Sequence, residues 1–272
     1  MVSIISKSFK ILRREWRAYG GVFLVFAVTM MLVVGVPSAD TAITSGVLMA
    51  ATWLVSIFLT RHLMAGEKLK VRDAIYNALS PLASLLVVLV VMAVQLLPML
   101  ILLVAYSSAV ETNLFANVGY AIGFVLFSVV MLALEWYLLP SSVMASVAVS
   151  APGLYPSVAL KTAGELVRGR RVRFWLATMV LLVVMGAVCG VLVAPVLVMV
   201  ATKQWEATAT VAQIMVSAAT VLAMELAAVY YYIYYRELLD AESSAESVVM
   251  KDKKVGKKEV KNDKRRGGGK NR

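Results

Sequence analysis

The sequence predicts an all-α integral membrane protein with six transmembrane helices arranged as three hairpins, each preceded by a basic cytoplasmic amphipathic helix. Several apolar runs of about 17–30 residues are long enough to cross roughly 30 Å of hydrocarbon at about 1.5 Å per residue. Only 16% of the 272 residues are charged and 61% are apolar, with a mean hydropathy of +0.82. A soluble domain carries about 25% charged residues. Lys and Arg also collect in alternate connections, as they do in the cytoplasmic loops of membrane proteins.

Residues 3–19 carry Lys7, Lys10, Arg13, Arg14 and Arg17 beside Ile5, Phe9, Leu12 and Trp16 at helical spacing. That pattern predicts an interfacial helix, with its apolar stripe in the headgroup boundary and its cations toward water and anionic lipid. Span one follows at about 20–36. It exceeds a signal-peptide core in length, and Pro37-Ser38-Ala39 fits a cleavage site poorly, so it reads as a retained span. A tight turn through Pro37, Ser38 and Asp40 leads to span two at about 42–60, which Arg61 and His62 close as a solvated end.

Segment 67–80 is polar and helical, with Lys68, Lys70 and Arg72 beside Val71, Ile75, Ala78 and Leu79. Ser80-Pro81 opens span three at about 81–108, because proline suits the first turn of a helix. Pro98 predicts a kink within that span. A polar turn over 107–117 leads to span four at about 118–139, which Pro140, Ser141 and Ser142 break or bend. Pro152, Gly153 and Pro156 mark a loop. Segment 157–175, SVALKTAGELVRGRRVRFW, is the third basic amphipathic helix and feeds span five, about 174–201. A loop at 202–208 precedes span six, about 209–235. Residues 1–240 therefore form the membrane domain and 241–272 a disordered basic tail, in which 251–272 hold eleven Lys or Arg against three acids.

Five Lys or Arg lie in 1–19, four in 61–72, five in 161–173 and twelve from Arg236 onward, whereas the three opposite turns hold only Lys203. This asymmetry places both termini in the cytoplasm, in a prokaryotic plasma (inner) membrane. Units 3–60, 67–140 and 157–235 repeat one plan in parallel orientation. Either a duplication or the charge rule acting on any even-span protein produces that pattern.

Glu135 and Glu225 lie within apolar spans, and with Gln95 and Gln213 they form the candidate intramembrane polar site. A charged group near the bilayer centre costs roughly 2.5–3.5 kcal/mol on insertion scales, so it faces the bundle interior, water or a cation. Interhelical hydrogen bonding is the default role of Gln95, Gln213 and Ser217. Tyr230, Tyr231, Tyr232, Tyr234 and Tyr235 before Arg236 read as an interfacial aromatic belt, joined by Trp16, Trp136 and Trp175. Cys189 and His62 are each the sole residue of their type. No disulfide framework, metal centre built on two such ligands or histidine-based triad can be drawn, so the expectation is no enzyme, no cofactor and no metal.

ALKTAGELVRGRR, at 159–171, resembles the segment before the fifth span of YciC-like proteins and of the membrane domain attached to some glycerophosphodiester phosphodiesterases. Ala159, Leu160, Lys161, Leu166, Arg168, Gly169 and Arg170 carry the match, while Ala163 and Gly164 replace the usual Ser-Trp. YYYIYYREL, ending at Leu238, is similar to the end of the last span in that superfamily. The resemblance implies a six-span prokaryotic membrane fold and no activity of this chain itself.

The functional expectation is a non-enzymatic scaffold or accessory subunit whose cytoplasmic face binds anionic lipid or a partner. Its lipid- or anion-binding candidates are Arg13, Arg14, Lys161, Arg168, Gly169, Arg170, Arg171 and Arg173. A membrane-protein partner or a second copy of the chain would complete it. The alternatives are a small transporter or permease subunit using Glu225 and Glu135, and a membrane-insertion helper whose tail at 251–272 touches RNA or the ribosome.

Overall fold

The computed structural model describes residues 2–34, 41–67, 71–151, 153–201 and 205–267, apart from the side chains of 2, 3, 34, 115, 197, 200, 201, 205–209 and 244–267. The turn through Pro37, Ser38 and Asp40, together with Lys68, Lys70, Pro152 and Lys203, lies outside the described residues. All described elements are helical: α1 (Val2–Arg14), α2 (Trp16–Val34), α3 (Thr41–Met64), α4 (Val71–Ala78), α5 (Leu82–Gln95), α6 (Leu97–Glu111), α7 (Val118–Ala148), α8 (Pro156–Val167), α9 (Arg171–Ala201) and α10 (Trp205–Gly267). A 3₁₀ turn, Leu114–Ala116, precedes α7.

Six stretches are long and apolar enough to cross a membrane: Trp16–Val33, Thr41–Met64, Leu82–Glu111, Val118–Ala148, Arg171–Val196 and Thr210–Ser243. Val104 is 68% exposed, Val118 72% and Val191 76%. Apolar faces this open do not suit water. The chain is a multi-pass membrane protein.

The packing divides the chain into Met1–Ile233 and Tyr234–Arg272. Within the first unit α2 packs on α3, and α5 and α6 pack on α7. Tyr230 of α10 donates a hydrogen bond to the Ala177 carbonyl of α9 (2.8 Å). Of the short helices, α1 packs on α2, α4 on α3 and α2, and α8 on α7 and α5. A Cβ at Gly21 would meet Val71 Cγ2 at 3.0 Å, so glycine is what lets α2 and α4 approach there.

Span one begins at Trp16 rather than near 20, because a turn at Glu15 ends α1. On α1 the buried positions are Ile4 and Ser8, while Phe9 and Trp16 of the expected apolar stripe remain uncovered by protein. Span three does break at its proline: α5 stops at Gln95, and the bend residue Leu96 sits two before Pro98. Proline lacks the N–H, and its ring crowds the carbonyl four residues back.

Span four differs from expectation, because α7 continues through Pro140 to Ala148. The proline frees the carbonyl of Trp136, and the Trp175 indole N–H from α9 donates to that oxygen at 3.3 Å. Residues 142 and 144–148 are buried in protein, so neighbours rather than lipid receive the segment beyond the proline. The backbone of α10 is helical to Gly267, past the boundary expected at 240.

Candidate functional site

The break at Leu96 organises the first polar cluster. Helices leave their first N–H groups without intrahelical partners, and a carboxylate there gains from hydrogen bonding and from the helix dipole. Glu135, 5% exposed on α7, fills that role: its Oε1 accepts from the Met99 N–H at 3.4 Å. On the other side of the break, Gln95 Oε1 accepts a short hydrogen bond from the Ser142 hydroxyl. Glu135 and Gln95 are thus brought to the two sides of one break within the span. Glu135 Oε2 stays buried without a hydrogen-bond partner.

Glu225 has different neighbours. It is 2% exposed on α10, its Oε1 has no hydrogen-bond partner, and the Tyr19 hydroxyl lies within electrostatic reach. Thr60 donates to the Ser56 carbonyl (2.6 Å), so its oxygen must accept in the 2.8 Å bond with Tyr19. Tyr19 therefore spends its only proton on Thr60 and has none for Glu225. Trp53 Nε1 and Ser56 Oγ are also buried without partners. Trp53, Ser56 and Thr60 share a face of α3 by their three- and four-residue spacing. Among the described residues neither Glu135 nor Glu225 has an ion-pair partner. Gln213 does what an intramembrane amide does by default, donating to the Met31 carbonyl of α2 at 2.9 Å.

The tyrosines near the end of span six are not an exposed belt. Tyr230, Tyr231 and Tyr232 are buried, and Tyr231 stacks on Phe174 (5.9 Å), meets Trp53 (6.1 Å) and hydrogen-bonds to Thr178 (3.1 Å). Tyr230 and Tyr231 thus meet α9, and Tyr231 also meets α3. Trp16 and Trp136 are the tryptophans of the expected belt that stay exposed.

The basic segment divides between α8, a turn and the start of α9. Ala159, Ala163, Leu166 and Val167 form the buried face of α8, and Lys161 stands exposed opposite. Arg168 follows the helix, and Gly169 turns the chain at φ +77°, a left-handed conformation that costs a residue with a Cβ. Arg170 N–H then donates to the Val167 carbonyl at 2.9 Å. Gly169→Ala is expected to lower stability by about 1 kcal/mol, measured by thermal unfolding in detergent. Arg171 lies 3.6 Å over the Tyr137 ring, beside the stacked pair Trp136 and Trp175 at 5.3 Å. Arg173 is exposed one turn into span five.

At the N-terminus, Lys7, Lys10, Arg13 and Arg14 line a cavity of about 750 Å³ whose apolar walls are Ile11, Met64 and Ile233. Arg14 also bonds Glu15 at 3.1 Å. Sequence reasoning found these cations but not the apolar walls, which come from positions 64 and 233 and follow no local periodicity. It also missed Tyr19, whose partner lies 41 residues away, and the role of Trp175, which reads as an interface aromatic until its partner 39 residues away is seen. No family model, curated protein or solved structure matches the chain.

Proposed function

We propose that the protein is a membrane-embedded scaffold or accessory subunit without catalytic chemistry, whose basic end holds anionic phospholipid. The observation that carries this reading is the α1 cavity, in which four cations face an apolar wall. A phospholipid presents the same two chemistries, a phosphate and acyl chains. The uncovered Phe9 of α1 and Trp16 at the start of α2 add apolar surface open to the membrane. In this reading α1, α4 and α8 introduce three hairpins on the cytoplasmic side of a prokaryotic plasma membrane. The resemblance to the YciC-like superfamily supplies the same arrangement. The tail at 241–272 adds cations to the same leaflet, where each is worth about 1 kcal/mol near anionic lipid.

Native mass spectrometry of the full chain, delipidated and given phosphatidylglycerol or phosphatidylcholine, tests the lipid assignment. Phosphatidylglycerol is expected to be retained preferentially. Lys10→Gln with Arg13→Gln is expected to weaken retention by about fivefold per cation, the equivalent of about 1 kcal/mol each. Equal retention of the two lipids overturns the assignment.

Transport is the second reading, and Glu225 favours it: a buried carboxyl with an unpartnered oxygen, within electrostatic reach of Tyr19. Glu225→Gln would abolish uptake or proton coupling in a transporter and leave a scaffold's partner capture intact.

A further inference from the structure

A second cavity, of about 440 Å³, opens where the C-terminal end of α3 meets the α4–α5 turn and the loop from α7 to α8. Its polar lining includes Arg61, His62, Asn77, Ser80, Ser84 and Ser150. Two of these are already engaged. Ser150 donates to the Val147 carbonyl at 2.6 Å, and His62 Nδ1 pairs with the Phe58 carbonyl at 2.9 Å. Because a carbonyl only accepts, His62 carries its proton on Nδ1, and Nε2 faces the exposed Glu67 carboxylate at 3.7 Å.

The remaining four differ. Arg61, Asn77 and Ser80 are exposed and Ser84 is half-buried; among the described residues their side chains make no hydrogen bond or ion pair, and they come from α3, α4, the α4–α5 turn and α5 to line one cavity. Arg61 offers donors only, the serines and the asparagine offer further donors, and a guanidinium fork suits a tetrahedral oxyanion. The start of α5, whose cap makes no side-chain hydrogen bond, opens beside Ser80 and Ser84. The volume falls in the ordinary range for small-ligand sites, about 300–1,000 Å³.

We propose that this cavity binds a phosphate ester, its oxyanion held by Arg61 with Asn77, Ser80 and Ser84. The site is separate from the α1 cavity, so it stands or falls independently of the lipid assignment above. Either a phospholipid headgroup or a soluble phosphate ester has the required chemistry, and two probes distinguish them.

Full-length protein in phosphatidylcholine nanodiscs is titrated calorimetrically with glycerol phosphate. In parallel, delipidated protein is offered phosphatidylglycerol and examined by native mass spectrometry. Saturable binding of glycerol phosphate supports a soluble ester. Saturable retention of phosphatidylglycerol without glycerol phosphate binding, read in the Lys10→Gln, Arg13→Gln background that weakens the α1 cavity, supports a headgroup. In either case Arg61→Gln is expected to weaken binding about tenfold or more, the scale of one charge-assisted contact. Ser84→Leu keeps the charge but fills the cavity, and it should weaken binding similarly, whereas Lys10→Gln should leave this site unchanged. Binding of neither probe, or wild-type binding by Arg61→Gln or Ser84→Leu, overturns the proposal.

Discussion

Replacing Glu135 with leucine is expected to destabilise the protein by about 1–3 kcal/mol, the cost of leaving a buried donor unpaired, whereas glutamine at the same position should be tolerated. Glu135 Oε1 accepts from Met99, whose N–H is freed because α6 restarts after the break at Leu96. Glutamine keeps a carbonyl oxygen at that place and removes a charge whose insertion is costly. Leucine keeps the volume and removes the acceptor. Chemical unfolding in mixed micelles of the two variants separates the roles. If leucine is tolerated, Glu135 does not cap the broken helix; if both substitutions are equally damaging, the charge itself is required.

The second large effect is expected at Trp175. Its indole N–H satisfies the Trp136 carbonyl that Pro140 leaves without a helical donor. Trp175→Phe retains a ring against Trp136 and loses the donor, so it should cost about 1–3 kcal/mol where lipid offers no replacement. Pro140→Ala restores the ordinary backbone bond to Trp136. In that background Trp175→Phe should cost markedly less, giving a coupling energy of about 1 kcal/mol between two residues 35 positions apart in sequence. Additive behaviour of the two substitutions would show that the carbonyl is not what links them.

These two clusters also show which features the sequence could carry. Span number and approximate limits are set by the length of apolar runs, a local property, and the break before Pro98 follows from local proline sterics. The same local reasoning at Pro140 allows a break or a bend; α7 does not break, and the donor to its freed carbonyl comes from α9. The tyrosines before Arg236 fit an interface by composition and position. Tyr230 and Tyr231 lie inside because Ala177, Thr178, Phe174 and Trp53 meet them from two other helices. Glu135 and Glu225 could be located by depth alone, but a carboxylate looks the same in sequence whether it caps a helix or lies buried with an unpartnered oxygen. The polar cavity at Arg61 assembles residues from positions 58 to 155, which no spacing pattern announces.

The placement of the basic end on the cytoplasmic side is tested most directly by cysteine labelling in intact cells. Cys189 is the sole cysteine of the sequence, so Cys189→Ala provides a blank background. Single cysteines are then introduced as Ser6→Cys on α1 or Thr112→Cys beyond α6, both at exposed positions. A membrane-impermeant maleimide should label Thr112→Cys in intact cells and Ser6→Cys only after permeabilisation. Labelling of Ser6→Cys in intact cells, with Thr112→Cys protected, would contradict the orientation on which the lipid-binding face depends.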